Sequence, residues 1–516
     1  MSAYNNLPYQ SFAISITAPA FLEMQARLRG LIPPPFKTAD VLEIACGDGG
    51  NLIPLAYNNP GSEFLGIDIS STHIEQALKA KKELGLKNIE FLLMDISQYQ
   101  TPKKFDYIIA HGVFSWVPDT VRKSILQLVK TNLSPTGLFY VSYNCTPGWS
   151  IRGLVRQQLH NADQLRSGTQ DVENGIKLCN EISALISRDN SPYATLLQQE
   201  LERVSKFNPS YVAHEYLSEN NQDFLFSTVA SQATEYELDY VGDANDFRPE
   251  GLIDHSLYKQ LNKTYPALQR EDLIDLICYR QMRGSIFCNQ DKSFKRVNDA
   301  FKIESFNLVG RFDFDPHWQN NLQGEMKFKN DADLEFIITN PLIKCALVMM
   351  TQAWPNGLML DTFTQKNIET SLTLDIASMD GLVNENRNEL HKAIRHLHWH
   401  GLLELSLSDS IAPSIIPEYP MLNNLTKFEI KHKLAITSSN HKIIWLSPLQ
   451  CEILQLLDGK ITKQEIAPLL LAQQINSDGT HTNLEQLIDD TLHLLATWDL
   501  YTKPANRINR GQNNVK

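Results

Sequence analysis

From Val41 to Asn144 the chain alternates short apolar runs with amphipathic stretches, the pattern of a parallel sheet wrapped by helices. The runs VLEIAC (41–46), EFLGIDI (63–69), IEFLLMD (89–95), FDYIIAHG (105–112) and GLFYVSYN (137–144) predict strands. Between them, NLIPLAYNN, THIEQALKAKKELG and VRKSILQLVKTNL carry apolar residues at helical spacing. In the last of these, Val121, Ile125, Leu128, Val129 and Leu133 share one face, and Pro135 and Gly137 end the element. The predicted fold class is a doubly wound α/β domain.

Beyond Gly148 the strand pattern fades. Helical spacing runs to about Phe226 with breaks near Ser191 to Tyr193 and at Pro209, and ELDYVGDA (237–244) reads as a late strand returning to the sheet. EDLIDLICYRQMRGSIF (271–287) reads as a second helical block. Near Asp333 a third unit begins, in which Asn340 and Pro341 read as N-cap and first helical residue, followed by Leu342, Cys345, Met349 and Ala353 at helical spacing. The turn WPNG, a short helix near Leu360 and a helix running into a strand in NELHKAIRHLHWHGLLELSL give a winged-helix-like order. The expected divisions are therefore 1–160 for the sheet domain, 161–330 for a helical middle region and 331–410 for a winged-helix-like domain. A C-terminal α+β domain over 411–502 and a polar, basic, disordered tail over 503–516 complete the chain.

Composition narrows the class. The 516 residues correspond to roughly three domains at about 150 residues each. With 42% hydrophobic and 21% charged residues, disorder, collagen and coiled coil are poor descriptions. No run approaches the ~18 apolar residues of a membrane helix, so no membrane anchor is expected. Met1 to Gln10 has neither a basic nor an apolar leader region, which predicts a cytoplasmic protein. Seven scattered cysteines without a CxxC pair predict free thiols and no structural zinc. The net charge of −12 disfavours a broad grip on nucleic acid and permits a cationic partner.

The strongest local signal is VLEIACGDGGNL (41–52), an apolar strand ending in a glycine turn that opens a helix. A dinucleotide fingerprint beginning at Gly47 requires glycine at Leu52, and fails there. Glu43, four residues before the first glycine, instead suits a ligand with a cationic amino-acid end, which S-adenosylmethionine has. Asp68 closes the second strand at the distance where a carboxylate holds a ribose diol. Asp95 closes the third, where it can meet the exocyclic amine of adenine while Ile69 and Ile96 flank the ring. The candidate cofactor contacts around the turn are Ala45, Cys46, Gly47, Asp48, Gly49, Asn51 and Leu52.

With these residues in place, the chain resembles the class I methyltransferases, and within them the bacterial family with an appended methyltransferase regulatory domain, the rickettsial-type outer-membrane-protein lysine methyltransferases. The matching stretches are YNNLPYQSF, LEIACGDGGNLIPLA, IIAHGVFSWVP, VSYNCTPGW, HEYLSENNQDFLF and EDLIDLICYRQMRGSIF, with weaker C-terminal matches in TNPLIKCALVMMTQAWPNGLMLDTF and LQLLDGK. Ala45 with Cys46 replaces the commoner GCG form of the turn. The resemblance implies S-adenosyl-L-methionine as cofactor, a protein substrate methylated on lysine side chains, and an outer-membrane protein before export as one such substrate. It also implies a homodimer built on the helical middle region. Because Tyr4, Pro8 and Tyr9 match a signature of that family, the N-terminal segment is expected to fold over the cofactor, with Tyr9 as a contact.

Methyl transfer is an in-line displacement that needs alignment and exclusion of water, not a metal. Acceptor-side candidates lie at the ends of the fourth and fifth strands: His111, Phe114, Ser115 and Trp116, then Tyr143 and Asn144. His111 can accept a proton or touch the cofactor through its backbone. Phe114 and Trp116 either wall an ammonium group or pack beneath a loop. His391, His396, His398 and His400 invite a metal reading, but no HExxH pattern completes it and Leu390, Ile394 and Leu397 form the core face instead. His214, Glu215, Arg280 and Arg283 read as salt-bridged structure. Alternatives to protein methylation are a small-molecule methyltransferase and a non-catalytic cofactor-binding scaffold.

Overall fold

The structure, a computed structural model, describes residues 11–166, 172–189, 191–207, 209–244, 255–290, 306–318, 322–354, 356–363, 387–407, 415–432, 435–472 and 484–502. Tyr4, Pro8, Tyr9 and the tail over 503–516 lie outside them.

Each of the five apolar runs forms a strand: β1 (Asp40–Ile44), β2 (Glu63–Asp68), β3 (Ile89–Leu93), β4 (Phe105–Ala110) and β5 (Leu133–Cys145). The helices are α1 (Pro19–Arg27), ahead of the sheet, then α2 (Leu52–Asn58), α3 (Ser71–Leu84) and α4 (Asp119–Asn132). At the start of α3 the Ser70 side chain accepts from the His73 amide, and Gly85 ends the helix at φ +66°, a conformation that costs glycine nothing.

Three more strands join from the middle region: β6 (Asp223–Phe224), β7 (Leu238–Asp243) and β8 (Met282–Asn289). The sheet order is β3-β2-β1-β4-β5-β8-β7, with β6 paired to β5 off this path. Strands β3, β2, β1, β4 and β5 are parallel, whereas β8 inserts antiparallel between β5 and β7. The order reverses between β1 and β4, which opens a crevice at their carboxyl ends.

Alternation along each strand sorts side chains onto two faces. Val41, Tyr107, Ile109, Leu138 and Tyr140 pack with Leu22, Leu52 and Ile74 from α1, α2 and α3. Leu42, Ile44, Ile108, Phe139, Val141 and Tyr143 pack with Ile125 and Val129 of α4 and with Val229. Each fully buried aliphatic or aromatic side chain stabilises the fold by about 1.5–3 kcal/mol.

The segment 271–287, expected to be a helical block, divides. A helix over Ala267–Ile277 ends at Tyr279, whose φ is +49°, and the chain continues as β8. The physical reason is Arg283, fully buried at the start of β8. Its Nε donates to Asp275 Oδ2 at 2.7 Å, one Nη to Asp243 Oδ2 at 2.5 Å and the other to Glu271 Oε2 at 3.0 Å. A solvent-facing helix offers no such set of carboxylates, and the strand supplies Asp243 from its neighbour β7. Arg280 pairs with Asp275 at 2.9 Å, so both arginines are salt-bridged structure.

Further along, the Asn340 side chain accepts from the Leu342 and Ile343 amides and caps the helix Pro341–Ala353, with Leu342, Cys345 and Met349 buried. The helix Arg387–Trp399 buries Leu390, Ile394 and Leu397 in the same core. Strands Leu358–Met359, Asn307–Val309 and Glu404–Ser406 form a small antiparallel sheet beside it. The last unit contains an antiparallel hairpin of Ala435–Thr437 and Ile443–Trp445 among helices Asn424–His432, Pro448–Gln455, Lys463–Ala472 and Leu484–Thr497.

Candidate active site

The turn after β1 lies at the crevice. Ala45 takes φ +59°, Gly47 +55° and Gly49 +79°. Ala45 thus holds a left-handed conformation that costs a side-chain-bearing residue about 1 kcal/mol and glycine nothing, which explains why GCG is the commoner form. The Gly47 amide donates to Asp68 Oδ2 at 2.9 Å and the Ser70 amide to Asp68 Oδ1 at 2.8 Å. An ionised carboxylate has about four acceptor sites, so one on each oxygen remains for a diol. Gly49 has no room for a side chain, because a Cβ there would stand 2.9 Å from both Ile53 and Phe91.

A strap formed by residues 11–17 crosses the turn. The Gly50 amide donates to Ser11 Oγ at 2.8 Å, Ser11 Oγ donates to Asp48 Oδ1, and a Cβ on Gly50 would stand 2.1 Å from the Ser11 carbonyl oxygen. Asn51 is buried beneath it. Its Oδ1 accepts from the Ile14 amide at 2.9 Å, and its Nδ2 donates to Thr17 Oγ1 at 3.0 Å and to Glu43 Oε1 at 2.8 Å. Strand alternation, with Val41 and Glu43 on one side, aims Glu43 at this network. Glu43 Oε2 is buried with no hydrogen-bond partner among the described residues. Burial pushes the Glu43 carboxyl up to about 8, with Asn51 opposing and Asp68 adding to the rise. Burial and then the charges of Glu43 and Asp68 also push the Cys46 thiol up. An orphaned carboxylate oxygen in an electronegative turn fits an ammonium group. Leu52 is core.

Toward the sheet edge, Asp95 Oδ1 accepts from the Ser97 amide at 2.9 Å and from Ser97 Oγ at 2.7 Å. Ile69 is 57% and Met94 37% exposed, with Ile96 half-buried. Apolar side chains exposed at two neighbouring strand ends suit a flat ring.

After β4, His111 Nδ1 lies 3.0 Å from the Tyr140 hydroxyl, and burial pushes the imidazole down to about 4. It is neutral near pH 7 and a weak base. The Gly112 amide donates to Ser142 Oγ at 2.7 Å, and a Cβ on Gly112 meets nothing within 4 Å, so the end of β4 faces open space. Trp116 is half-buried and edge-on to Trp149, ring centroids 6.0 Å apart. Phe114 is fully buried against Phe224, which settles the choice left open for it in favour of core packing.

Tyr143 and Asn144, expected together at the pocket, point to opposite faces. Tyr143 is 2% exposed, bonds Ser285 Oγ at 2.9 Å and joins the core under α4; its position in the alternation puts it away from the crevice. Asn144 faces the segment before β6: its Nδ2 donates to Asn221 Oδ1 at 3.3 Å, and its amide to Ser115 Oγ at 2.9 Å. Residues missing from the sequence reading include Ser11, Gly50, Asn221 and Trp149. GDGG carried a signal for Gly50, and HEYLSENNQDFLF and SYNCTPGW contained the last two. A separate cavity of about 1100 Å³ lies beyond α1, and none of Glu43, Asp68, Asp95 or His111 lines it.

A switch-point crevice, a strand-end glycine turn and an antiparallel β8 between β5 and β7 define the class I methyltransferase fold. A methyltransferase-domain family matches residues 35–237, and a predicted methyltransferase regulatory domain matches residues 208–289. The protein RP028 of Rickettsia prowazekii is 34% identical over 45% of this chain and 93% of its own length, and RP789 of the same organism 27% identical over 94% and 89%. The structure of PKMT2 from Rickettsia typhi superposes with a TM-score of 0.81, at 25% identity over 96% of this chain and 100% of that one; another structure of PKMT2 is in complex with AdoHcy. The chain belongs to the S-adenosylmethionine-dependent methyltransferases that carry a methyltransferase regulatory domain.

Proposed function

We propose that this methyltransferase modifies lysine side chains of a protein substrate. Likeness to PKMT2 over nearly the whole chain, rather than over a bare sheet domain, is the observation that carries the reading. A small-molecule enzyme has less need of more than two hundred further residues.

S-adenosylmethionine supplies an electrophilic methyl group on a sulfonium. In our reading Glu43 holds the cofactor's ammonium, Asp68 its ribose diol, and Asp95 its adenine amine between Ile69 and Ile96. The backbone of Ala45, Cys46, Gly47, Asp48 and Gly49 allows close approach, and Asn51 orients Glu43. His111 contributes through its backbone and its contact with Tyr140, since an imidazole held near 4 is poorly matched to an ammonium of pKa about 10.4. Desolvation beside Trp116 and Trp149 lowers the pKa of the lysine ammonium, which gives its proton to solvent water before the neutral amine attacks. Asn144 orders the 219–224 segment next to it. We assign the helical middle region to a homodimer contact, the unit around Pro341–Ala353 to a winged-helix-like module that holds polypeptide, and the protein to the cytoplasm, where its cysteine thiols stay reduced.

Incubation with methyl-tritiated S-adenosylmethionine and cell extract, followed by separation of protein from metabolites, tests the reading. Label in the protein fraction supports it, and label confined to small molecules overturns it.

A further inference from the structure

The buried network under the glycine turn contains a residue from the far end of the chain. His441 Nε2 lies 2.8 Å from Asn51 Oδ1, across 390 residues of sequence, and both side chains are buried. Donor and acceptor roles follow from the neighbours. The Ile14 amide can only donate, so the Asn51 atom it meets is the oxygen. His441 Nε2 therefore carries the hydrogen; burial pushes the imidazole down to about 3, so the ring is neutral and its Nδ1, which has no partner among the described residues, is bare. Thr17 Oγ1 donates to the Ile14 carbonyl at 2.8 Å, so it accepts from Asn51 Nδ2. The remaining Nδ2 hydrogen goes to Glu43 Oε1. The chain of donors thus runs one way, from His441 through Asn51 to Glu43.

The hairpin that presents His441 is itself fixed. The His441 amide donates to the Ser438 carbonyl at 2.9 Å and the Ser438 amide to the Lys442 carbonyl at 2.8 Å. His441 takes φ +59°, a conformation in which His, Asn and Asp are enriched among non-glycine residues. The preceding helix Asn424–His432 anchors the hairpin to the sheet domain: Leu425 and Phe428 pack into the α1–α3 core, Lys431 pairs with Glu83 at 3.0 Å, and the Thr437 amide donates to Glu429 Oε2 at 2.7 Å. Trp445 packs on Phe12 of the strap at 5.1 Å.

We propose that His441 is a positioning residue for the cofactor turn, so that the C-terminal region completes the site formed by the first third of the chain. The proposal rests on the reading of Glu43 and the glycine turn as the cofactor site. His441 fixes the amide of Asn51, and Asn51 fixes the oxygen of Glu43 that does not face the ligand.

The test is calorimetric titration of the full chain with S-adenosylhomocysteine, alongside thermal unfolding without ligand. His441→Asn keeps the left-handed turn but is too short to reach Asn51; His441→Gln restores a reaching donor. The expected result is affinity about tenfold weaker in His441→Asn, the loss expected for one buried hydrogen bond. Recovery in His441→Gln with similar unfolding midpoints for the two variants completes the expected result. In an Asn51→Ala background, His441→Asn adds no further loss. Unchanged affinity in His441→Asn overturns the proposal, as does a loss that tracks the unfolding midpoint in both variants. A wild-type chain that binds no S-adenosylhomocysteine defeats the cofactor reading itself, and this inference with it.

Discussion

The amide of Gly47 donates to Asp68 Oδ2 at 2.9 Å, so the end of β2 sets the shape of the turn that follows β1. Asp68 therefore has two tasks, holding the turn and offering its remaining acceptor sites. Asp68→Asn is not conservative, because its amide nitrogen would face either the Gly47 or the Ser70 amide, donor against donor. Both Asp68→Ala and Asp68→Asn are expected to weaken S-adenosylhomocysteine binding by about 100-fold or more, given roughly 1.5–3 kcal/mol per charge-assisted bond. Calorimetric affinity within tenfold of wild type for either variant contradicts the assignment.

Gly50 is predicted to be intolerant of any side chain. Gly50→Ala drives a Cβ into the Ser11 carbonyl and lifts the strap from the turn, so affinity should fall at least about tenfold, since Ser11 Oγ also loses the Gly50 amide. Gly85→Ala is the control. It meets no atom within 4 Å, costs about 1 kcal/mol of stability for its left-handed φ, and should leave affinity unchanged. Equal affinities in both variants would remove the strap from the account.

Glu43 gives the account a pH dependence. Its folded carboxyl is raised to about 8, so ionisation is easier in the unfolded chain, and this group lowers stability progressively as pH rises from about 4.5 to about 8. Glu43→Gln removes that penalty, so its unfolding midpoint should gain on wild type by a few degrees between pH 5 and pH 8. Its cofactor affinity should fall at the same time. In wild type, capture of an ammonium ionises Glu43, so titration near pH 7 should release up to one proton, read from the dependence of the heat on buffer. A midpoint difference that is flat with pH contradicts this.

Arg283 sits fully buried among Asp243, Asp275 and Glu271, and burial already raises the Asp275 carboxyl. Removing the cation leaves carboxylates uncompensated, which costs about 3–5 kcal/mol. Arg283→Met should therefore unfold at much lower urea, with a smaller deficit at pH 5, where the raised Asp275 carboxyl protonates more readily. A deficit under about 1 kcal/mol at pH 7 would show that the cluster is not coupled as drawn.

The parallel strands and the strand-end acids Glu43, Asp68 and Asp95 were legible in the sequence because alternation and the placement of a glycine turn are local patterns. Ala45 was legible only as a departure from GCG; its left-handed φ supplies the reason. Tyr143 and Asn144 looked equivalent as adjacent polar residues after an apolar run, yet one residue of pleat sends them to opposite faces. The division of 271–287 was hidden because Leu273, Ile274, Leu276 and Ile277 keep apolar spacing into the turn. The charge that makes β8 a buried strand is satisfied by Asp243, forty residues away. His441 is a tertiary contact with no local pattern to announce it.

Methyl transfer to lysine side chains of a protein is tested by identifying the labelled residue. Protein labelled from methyl-tritiated S-adenosylmethionine in cell extract is hydrolysed to amino acids and resolved by chromatography, with the Asp68→Ala chain as control. Tritium is expected to co-elute with methylated lysine standards, with none above background in the Asp68→Ala reaction. Tritium on any other residue, or in no protein at all, contradicts it.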